Sequence, residues 1–419
     1  MQIVASGAQD VYLTGNPQIT FFKVVYRRHT NFSLESIQQF FRNDNNLNFG
    51  KSTFSVLERK ADLISGAVLQ ITLPALKQVQ PGDNSSGNST FVNWVDGIGN
   101  ALINSLQVKI GGYTVDTQSG EWMDIYSQYN VSRDKRTAYN EMLGYANSTP
   151  PGTIATDEII LQIPLNFWFC NPGLALPIEA LQYHDVELYV TFSELANMIV
   201  SDVPIANPVD INNNIAKFVN CKLYIDYIYL DTEEKRRTAQ TSHEYLIEQV
   251  QILNPENIYA NDTSRKIDLF LKHPVKSLYW VISNNIYTTP GTITDNHNQP
   301  LLYAANNSDT NKDTFDTMKL IFNGSDRFSE RNAKYFRLLQ PFQYFKCCPI
   351  KYVYTYTFSL RPFDQQPSGS CNFSRIDNVK MYITFDTVLQ TASPSQLKVY
   401  AVNYNILRIM NGMSSVVFS

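Results

Sequence analysis

The sequence predicts an all-β chain of two tandem eight-stranded jelly rolls, joined by a short helix and preceded by an extended arm. Three observations carry that expectation. Apolar residues alternate with polar ones in short segments along all 419 residues, the period of a half-buried strand. Tight-turn dipeptides punctuate those segments. Above all, one strand is written twice. "DVELYVTF" (185–192) sets Val186, Leu188, Val190 and Phe192 on one face, and "NVKMYITF" (378–385) sets Val379, Met381, Ile383 and Phe385 there, 193 positions later.

The echoes continue in the same order through both halves. "KIGGYTV" (109–115) and "IFNGSDRF" (321–328) each place a hairpin turn between strand-like residues, with Gly111-Gly112 and Asn323-Gly324 offset by 212. Both dipeptides tolerate the positive φ of a type I′ turn. Each turn leads into an aromatic stretch with helical spacing, "EWMDIYSQY" in the first half and "NAKYFRLLQPF" in the second. Weaker echoes pair "LESIQQF" with "EYLIEQV" (Ile37 with Ile247, offset 210) and "CKLYIDYIYL" with "LKVYAVNYNIL" (Lys222 with Lys398, offset 176). "YVYTYTF" adds a strand with Tyr352, Tyr354, Tyr356 and Phe358 on one face.

Duplication of this kind suits two domains of about 200 residues each. Many short strands and one or two helical turns per copy point to a closed or sandwiched antiparallel fold, since open sheets leave exposed edges. The jelly roll fits that size, whereas immunoglobulin-type sandwiches run nearer ~100 residues. The expected division is an arm over 1–25, a first jelly roll over 26–231, a linker helix over 232–244 and a second jelly roll over 245–419. In the linker, Asp231 or Thr232 caps the helix, Glu233 and Glu234 favour its positive end, and Lys235, Arg236 and Arg237 form a solvated basic face. In the arm, Gly15-Asn16-Pro17 breaks regular structure, and Val11, Tyr12 and Leu13 offer an apolar anchor.

Composition bounds the function. Aromatic residues make up 13% and charged ones only 17%, against roughly 25% charged in a typical soluble protein. A low-charge, aromatic-rich chain suits a subunit whose outside is covered by neighbours. The net charge of −4 and pI of about 5.8 argue against direct, specific nucleic-acid binding. No apolar run approaches the ~18 residues of a membrane span, and the start "MQIVASGAQDVYL" lacks signal-peptide character. Five cysteines (Cys170, Cys221, Cys347, Cys348, Cys371) without a CxxC pair suggest reduced thiols in a cytoplasmic setting.

Catalytic and metal-binding patterns do not emerge. His29, His184, His243, His273 and His297 stand apart from one another, which leaves no metal-binding pair and no cupin-like cluster. Only His184-Asp185 suggests a dyad, and it opens a strand. GxSxG, HExxH, Walker A and GxGxxG are absent. No catalytic residue, cofactor or metal is therefore expected. Of nine N-x-S/T sequons, Asn84, Asn88 and Asn306 lie in the Asn- and Ser-rich stretches best suited to outward loops, and these are the candidate glycosylation sites.

A resemblance adds to this reading. "GAQDVYLTGNPQITFFKVVYRRHTNFS" (7–33) resembles the N-terminal signature of major capsid proteins of nucleocytoplasmic large DNA viruses, nearer the chlorovirus, mimivirus and marseillevirus side than the iridoviruses. "NPGLALPIEALQYHDVELYV", "DYIYLDTEEKRRTAQTSHEYLIEQ", "PSGSCNFSRIDN" and "AVNYNILRIMNGM" resemble the same family. The resemblance implies a double jelly roll that assembles as pseudo-hexagonal homotrimers into an icosahedral shell. It implies neighbouring capsomers and minor capsid proteins as partners, an inner membrane nearby without insertion, and a place in the virion after assembly in the host cytoplasm. The arm residues Val11, Tyr12, Leu13, Gly15, Asn16 and Pro17 would then tie capsomers together. The chain is somewhat short for the family and ends in "NGMSSVVFS" instead of a Gly-rich tail. A minor or vertex-associated capsid component is thus the alternative within the fold, and a carbohydrate-binding or carbohydrate-processing tandem jelly roll is the alternative outside it.

Overall fold

A computed structural model describes residues 7–42, 47–77, 92–145, 157–201, 209–210, 212, 214–259, 262–285, 299–303, 312–385 and 394–418. Sixteen of the twenty-three described strands carry a pairing order that repeats, eight in each half. The first eight are β1 (Phe32–Gln39), β2 (Ser52–Val56), β3 (Leu63–Leu73), β4 (Ile103–Ile110), β5 (Tyr113–Gln118), β6 (Ile159–Pro164), β7 (Val186–Phe192) and β8 (Asn220–Leu230). The second eight are β9 (His243–Ile252), β10 (Ser264–Asp268), β11 (Pro274–Asn284), β12 (Thr317–Phe322), β13 (Ser325–Asp326), β14 (Tyr354–Thr357), β15 (Val379–Thr384) and β16 (Ser395–Met410).

Pairing repeats between the halves without exception among these strands. The first half forms sheets β1–β8–β3–β6 and β2–β7–β4–β5; the second forms β9–β16–β11–β14 and β10–β15–β12–β13. Every neighbouring pair is antiparallel. Two facing sheets built on four strands in this order make a jelly roll, and the chain holds two; shorter strands extend three of the four sheets.

The twin strands occupy the same place. β7 and β15 sit in equivalent central positions, and their burial alternates as the sequence predicts. The hairpin turns anchor the equivalence, because Gly111, Gly112, Asn323 and Gly324 all have positive φ (58°, 83°, 48°, 84°). In the ladders Ile110 faces Val186 and Phe322 faces Val379. The offsets of 212 and 193 therefore meet in one pair of residues. The weaker echoes do not: Ile37 faces Ile225 while Ile247 faces Asn405, an offset of 180 where Lys222 and Lys398 give 176. A strand with period 2 matches its twin at every even shift, and only a turn that demands positive φ removes that freedom.

Helices flank the strands at matching points. Helix α1 (Gly120–Asn130) follows β5, capped by the Ser119 side chain, which accepts from the Trp122 amide. Helix α2 (Arg133–Met142) follows it and buries only Tyr139, so its apolar signal was too weak to announce it. These three-turn helices exceed the one or two turns expected. Helix α3 (Thr232–Gln240) links the halves, and the Asp231 carboxylate accepts from the Thr232 amide. It stops short of 244 because Thr241 is already extended (φ −89°, ψ 148°) and His243 pairs with Ile409 as the first residue of β9. In the second half a π-helical turn (Tyr335–Leu339) runs into a short α-helix (Gln340–Tyr344); together they form α4 (335–344).

Three apolar clusters result. One fills the first barrel around Leu69, Leu106, Leu161 and Val190, and a second fills the other barrel around Leu278, Trp280, Tyr354 and Met381. The predicted face of Tyr354, Tyr356 and Phe358 packs on this second core. A third cluster lies between the barrels.

Candidate assembly surfaces

The third cluster is built by α1. Its residues Trp122, Ile125 and Tyr129, spaced three and four apart, share one helix face. They pack on Tyr279 and Val281 of β11 and on Tyr400 and Val402 of β16. Trp122 meets the Tyr279 ring edge-on at 5.2 Å and the Tyr400 ring at 5.6 Å. Nine fully or nearly fully buried side chains here represent an apolar contribution on the order of 10 kcal/mol.

Polar groups of the same helix fix the register of the seam. Asp124, with no exposed surface, accepts from the Tyr303 hydroxyl (2.8 Å), from the Lys351 ammonium (2.7 Å) and from the Tyr145 hydroxyl. Burial, then the nearby Asp124 charge, pushes the Tyr145 and Tyr303 phenols far above their usual range, so both remain donors. Glu121 accepts from Lys398 (2.7 Å) and Tyr400 (2.9 Å). The Tyr129 hydroxyl donates to the Val353 carbonyl (3.2 Å), and the Ile350 amide donates to Gln128.

Two further connections cross the seam. Asp116 of β5 is buried, accepts from the Val250 amide of β9 (3.0 Å) and from Gln118 (2.9 Å), and burial raises its carboxyl to about 6. The second half also reaches back: Leu407 and Ile409 of β16 enter the first core. Beyond them Asn411-Gly412 turns the chain with positive φ, and the Tyr183 amide donates to the Gly412 carbonyl (3.0 Å). The linker contributes Lys235, which lies 2.9 Å from Asp62 and 3.5 Å from Glu179. Burial pushes the Asp62 carboxyl up, but the Leu230 amide and Lys235 outweigh it and hold it below the ordinary value. Lys235 is thus committed to the first barrel, while Arg236 and Arg237 face solvent.

The arm presents the opposite picture. Residues 7–36 bury nothing apart from partial cover at Asp10. Val11, Tyr12 and Leu13 form one helical turn (Val11–Thr14) and are 66%, 93% and 87% exposed. Gly15 is extended, Asn16 has φ 51°, and Pro17 follows, so regular structure ends where the sequence predicts. Phe21, Phe22, Val24, Val25 and Tyr26 are equally bare, and the first barrel strand begins only at Phe32. The arm therefore runs past residue 25.

The chemical candidates separate in space. His184 Nδ1 accepts from the Ser414 amide (3.1 Å), whereas Asp185 pairs with Arg59 (2.9 Å). The two neighbours point to different partners and form no dyad. None of the five cysteines is joined in a disulfide. Among the described residues no group of three His, Cys, Asp or Glu side chains could hold a metal, and no helix is long and apolar enough to cross a membrane. Asn84, Asn88 and Asn306 lie outside the described residues. Sequence reasoning missed the seam residues Glu121, Asp124 and Lys351, because their partners lie more than 170 residues away.

Comparison with known proteins matches nearly the whole chain. Residues 20–231 fit the family described as "Major capsid protein N-terminus", and residues 234–415 fit "Large eukaryotic DNA virus major capsid protein". This chain belongs to the major capsid proteins of large eukaryotic DNA viruses. The two matched ranges meet at the N-terminus of α3. The major capsid protein of Pyramimonas orientalis virus is 38% identical, with all of this chain matching 98% of it. That of Phaeocystis pouchetii virus is 35% identical, with all of this chain matching 99% of it. A quasi-atomic model of the PBCV-1 virus capsid superposes at TM-score 0.77 and 31% identity, over 96% of this chain and 100% of that one. This capsid protein is a double jelly roll with a structural role in the icosahedral shell.

Proposed function

We propose that the capsid protein assembles as a homotrimer whose six barrels outline a pseudo-hexagon, and that these trimers tile the shell as its major component. The observation that carries this reading is the identical strand order of two barrels packed together through α1. Three such chains around a threefold axis imitate sixfold symmetry, and hexagonal units close-pack on a curved surface. The bare arm, with Val11, Tyr12, Leu13, Gly15, Asn16 and Pro17, ties one capsomer to its neighbours, and minor capsid proteins contact the trimers from beneath. No catalytic role accompanies the shell role. Assembly takes place in the host cytoplasm, beside an inner membrane that the protein does not enter. Asn84, Asn88 and Asn306 are the candidate acceptors for glycan attachment; an intact mass equal to the bare chain would dismiss the glycans.

Light scattering on the purified full chain tests the reading. It expects a particle of three times the 47.8 kDa chain mass. A monomer at all concentrations, or abundance in virions far below that of another coat protein, would overturn it.

A further inference from the structure

The two barrels are alike in build but unlike in what covers them. β11 is buried on both faces from Val275 to Asn284, and β16 is buried continuously through its middle. Their counterparts β3 and β8 alternate between buried and half-exposed residues. The cover is α1, with Tyr303, Val353 and Phe345 beside it, on the outer face of β9–β16–β11–β14. The outer face of β1–β8–β3–β6 carries Val68, Tyr224, Ile228, Leu34 and Ile160. Val68 stands opposite Tyr224 at its centre, and Leu34 and Ile160 are 63% and 58% exposed.

The helices show the complementary asymmetry. Met123 of α1 points into the first core and Phe336 of α4 into the second, an offset of 213 that agrees with the hairpin offset of 212. On that alignment Trp122, Ile125 and Tyr129 correspond to Tyr335, Leu338 and Phe342. The first three are buried in the seam. Of the second three, Tyr335 packs partly on its own core, while Leu338 and Phe342 are 43% and 78% exposed, and Leu339 beside them is 43% exposed. One barrel therefore has a covered sheet and a bare helix, and the other has a bare sheet and a covering helix.

We propose that α4 of one subunit packs on the outer face of β1–β8–β3–β6 of a second copy, repeating between chains the contact that α1 makes within the chain. This rests on the trimer reading above and assigns its interface. Such a contact is head-to-tail: each chain offers one helix and one sheet, and a ring of three uses all of them. Charge follows the exchange. Lys334 stands where Glu121 stands, so the pair with Lys398 is not repeated. The sheet that Lys334 would meet carries Asp226 on its outer face, alongside Lys222.

Two variants of the full chain test this, Phe342→Glu on the helix and Tyr224→Glu on the sheet, each measured by light scattering and sedimentation beside the native chain. We expect a trimeric native chain and each variant at least tenfold weaker in association, with circular dichroism unchanged. An equimolar mixture of the two retains one sound helix and one sound sheet, so it forms a species of two chains and stops there. If Tyr224→Glu melts early, Leu34→Glu at the exposed edge repeats the sheet arm. Native and variant chains that are all trimeric would overturn this interface and leave the trimer standing, as would a mixture that forms no two-chain species. A native chain that is monomeric throughout would remove the trimer reading itself.

Discussion

Asp124 has no exposed surface and still meets groups from Tyr145, Tyr303 and Lys351. A buried carboxylate is stable only when paired and hydrogen-bonded, and removing one member leaves the other charge stranded. Asp124→Asn should therefore cost about 3 kcal/mol in urea unfolding, and adding Lys351→Met should recover much of that loss. A single-variant cost within experimental error would show that the hub is not what locks the barrels. Asp116 gives a pH signature of opposite origin. Burial raises its folded value from 3.8 to about 6, so between those pH values the folded state binds the more protons and stability falls as pH rises. Its contribution is favourable below about pH 4 and lost above about pH 6, a change of about 3 kcal/mol. Asp116→Asn should gain that amount relative to the native chain between pH 4 and pH 7, and parallel stability curves would refute the assignment.

At the scale of elements, α1 depends on a close approach that only glycine permits. A Cβ on Gly120 would lie 1.8 Å from the Asn100 carbonyl and 2.5 Å from that of Ile103. Both obstacles are backbone, so Gly120→Ala must displace the helix start, the helical turn at Asn100 or the start of β4. We expect a loss of about 2 kcal/mol or more, with the seam aromatics Trp122 and Tyr129 showing altered near-ultraviolet dichroism. An unchanged dichroism spectrum would place the approach outside the seam. The same elements show what was legible from residues alone. Strands whose two faces see different surroundings announced themselves, as β7 and β15 did, and so did turns that require positive φ. β11 did not alternate, because both of its faces are covered, and α2 was silent because it buries only Tyr139. The end of α3 was overrun because its polar sequence carries no stop signal before Thr241. The seam could not be read at all, since sequence does not say which face of one barrel meets a helix from another.

At the scale of the whole molecule, the low charge content of 17% is explained only partly by the cores. Much of the remaining apolar surface is gathered on the bare sheet, on α4 and on the arm, the three surfaces an assembled shell would cover. These surfaces act at different levels, and removal of the arm separates them. Since residues 7–36 bury essentially nothing in the chain that carries them, deleting residues 1–30 should shift melting by less than about 2 °C. The trimer should persist, because α4 and the β1–β8–β3–β6 sheet are untouched. Particle formation should fail, because many weak ties repeated around each capsomer are lost together. Co-expression with minor capsid components, followed by electron microscopy, reads the last outcome. Shells of normal size from the shortened chain would deny the arm its tying role, and a drop in melting of ten degrees would mean that it braces its own barrel.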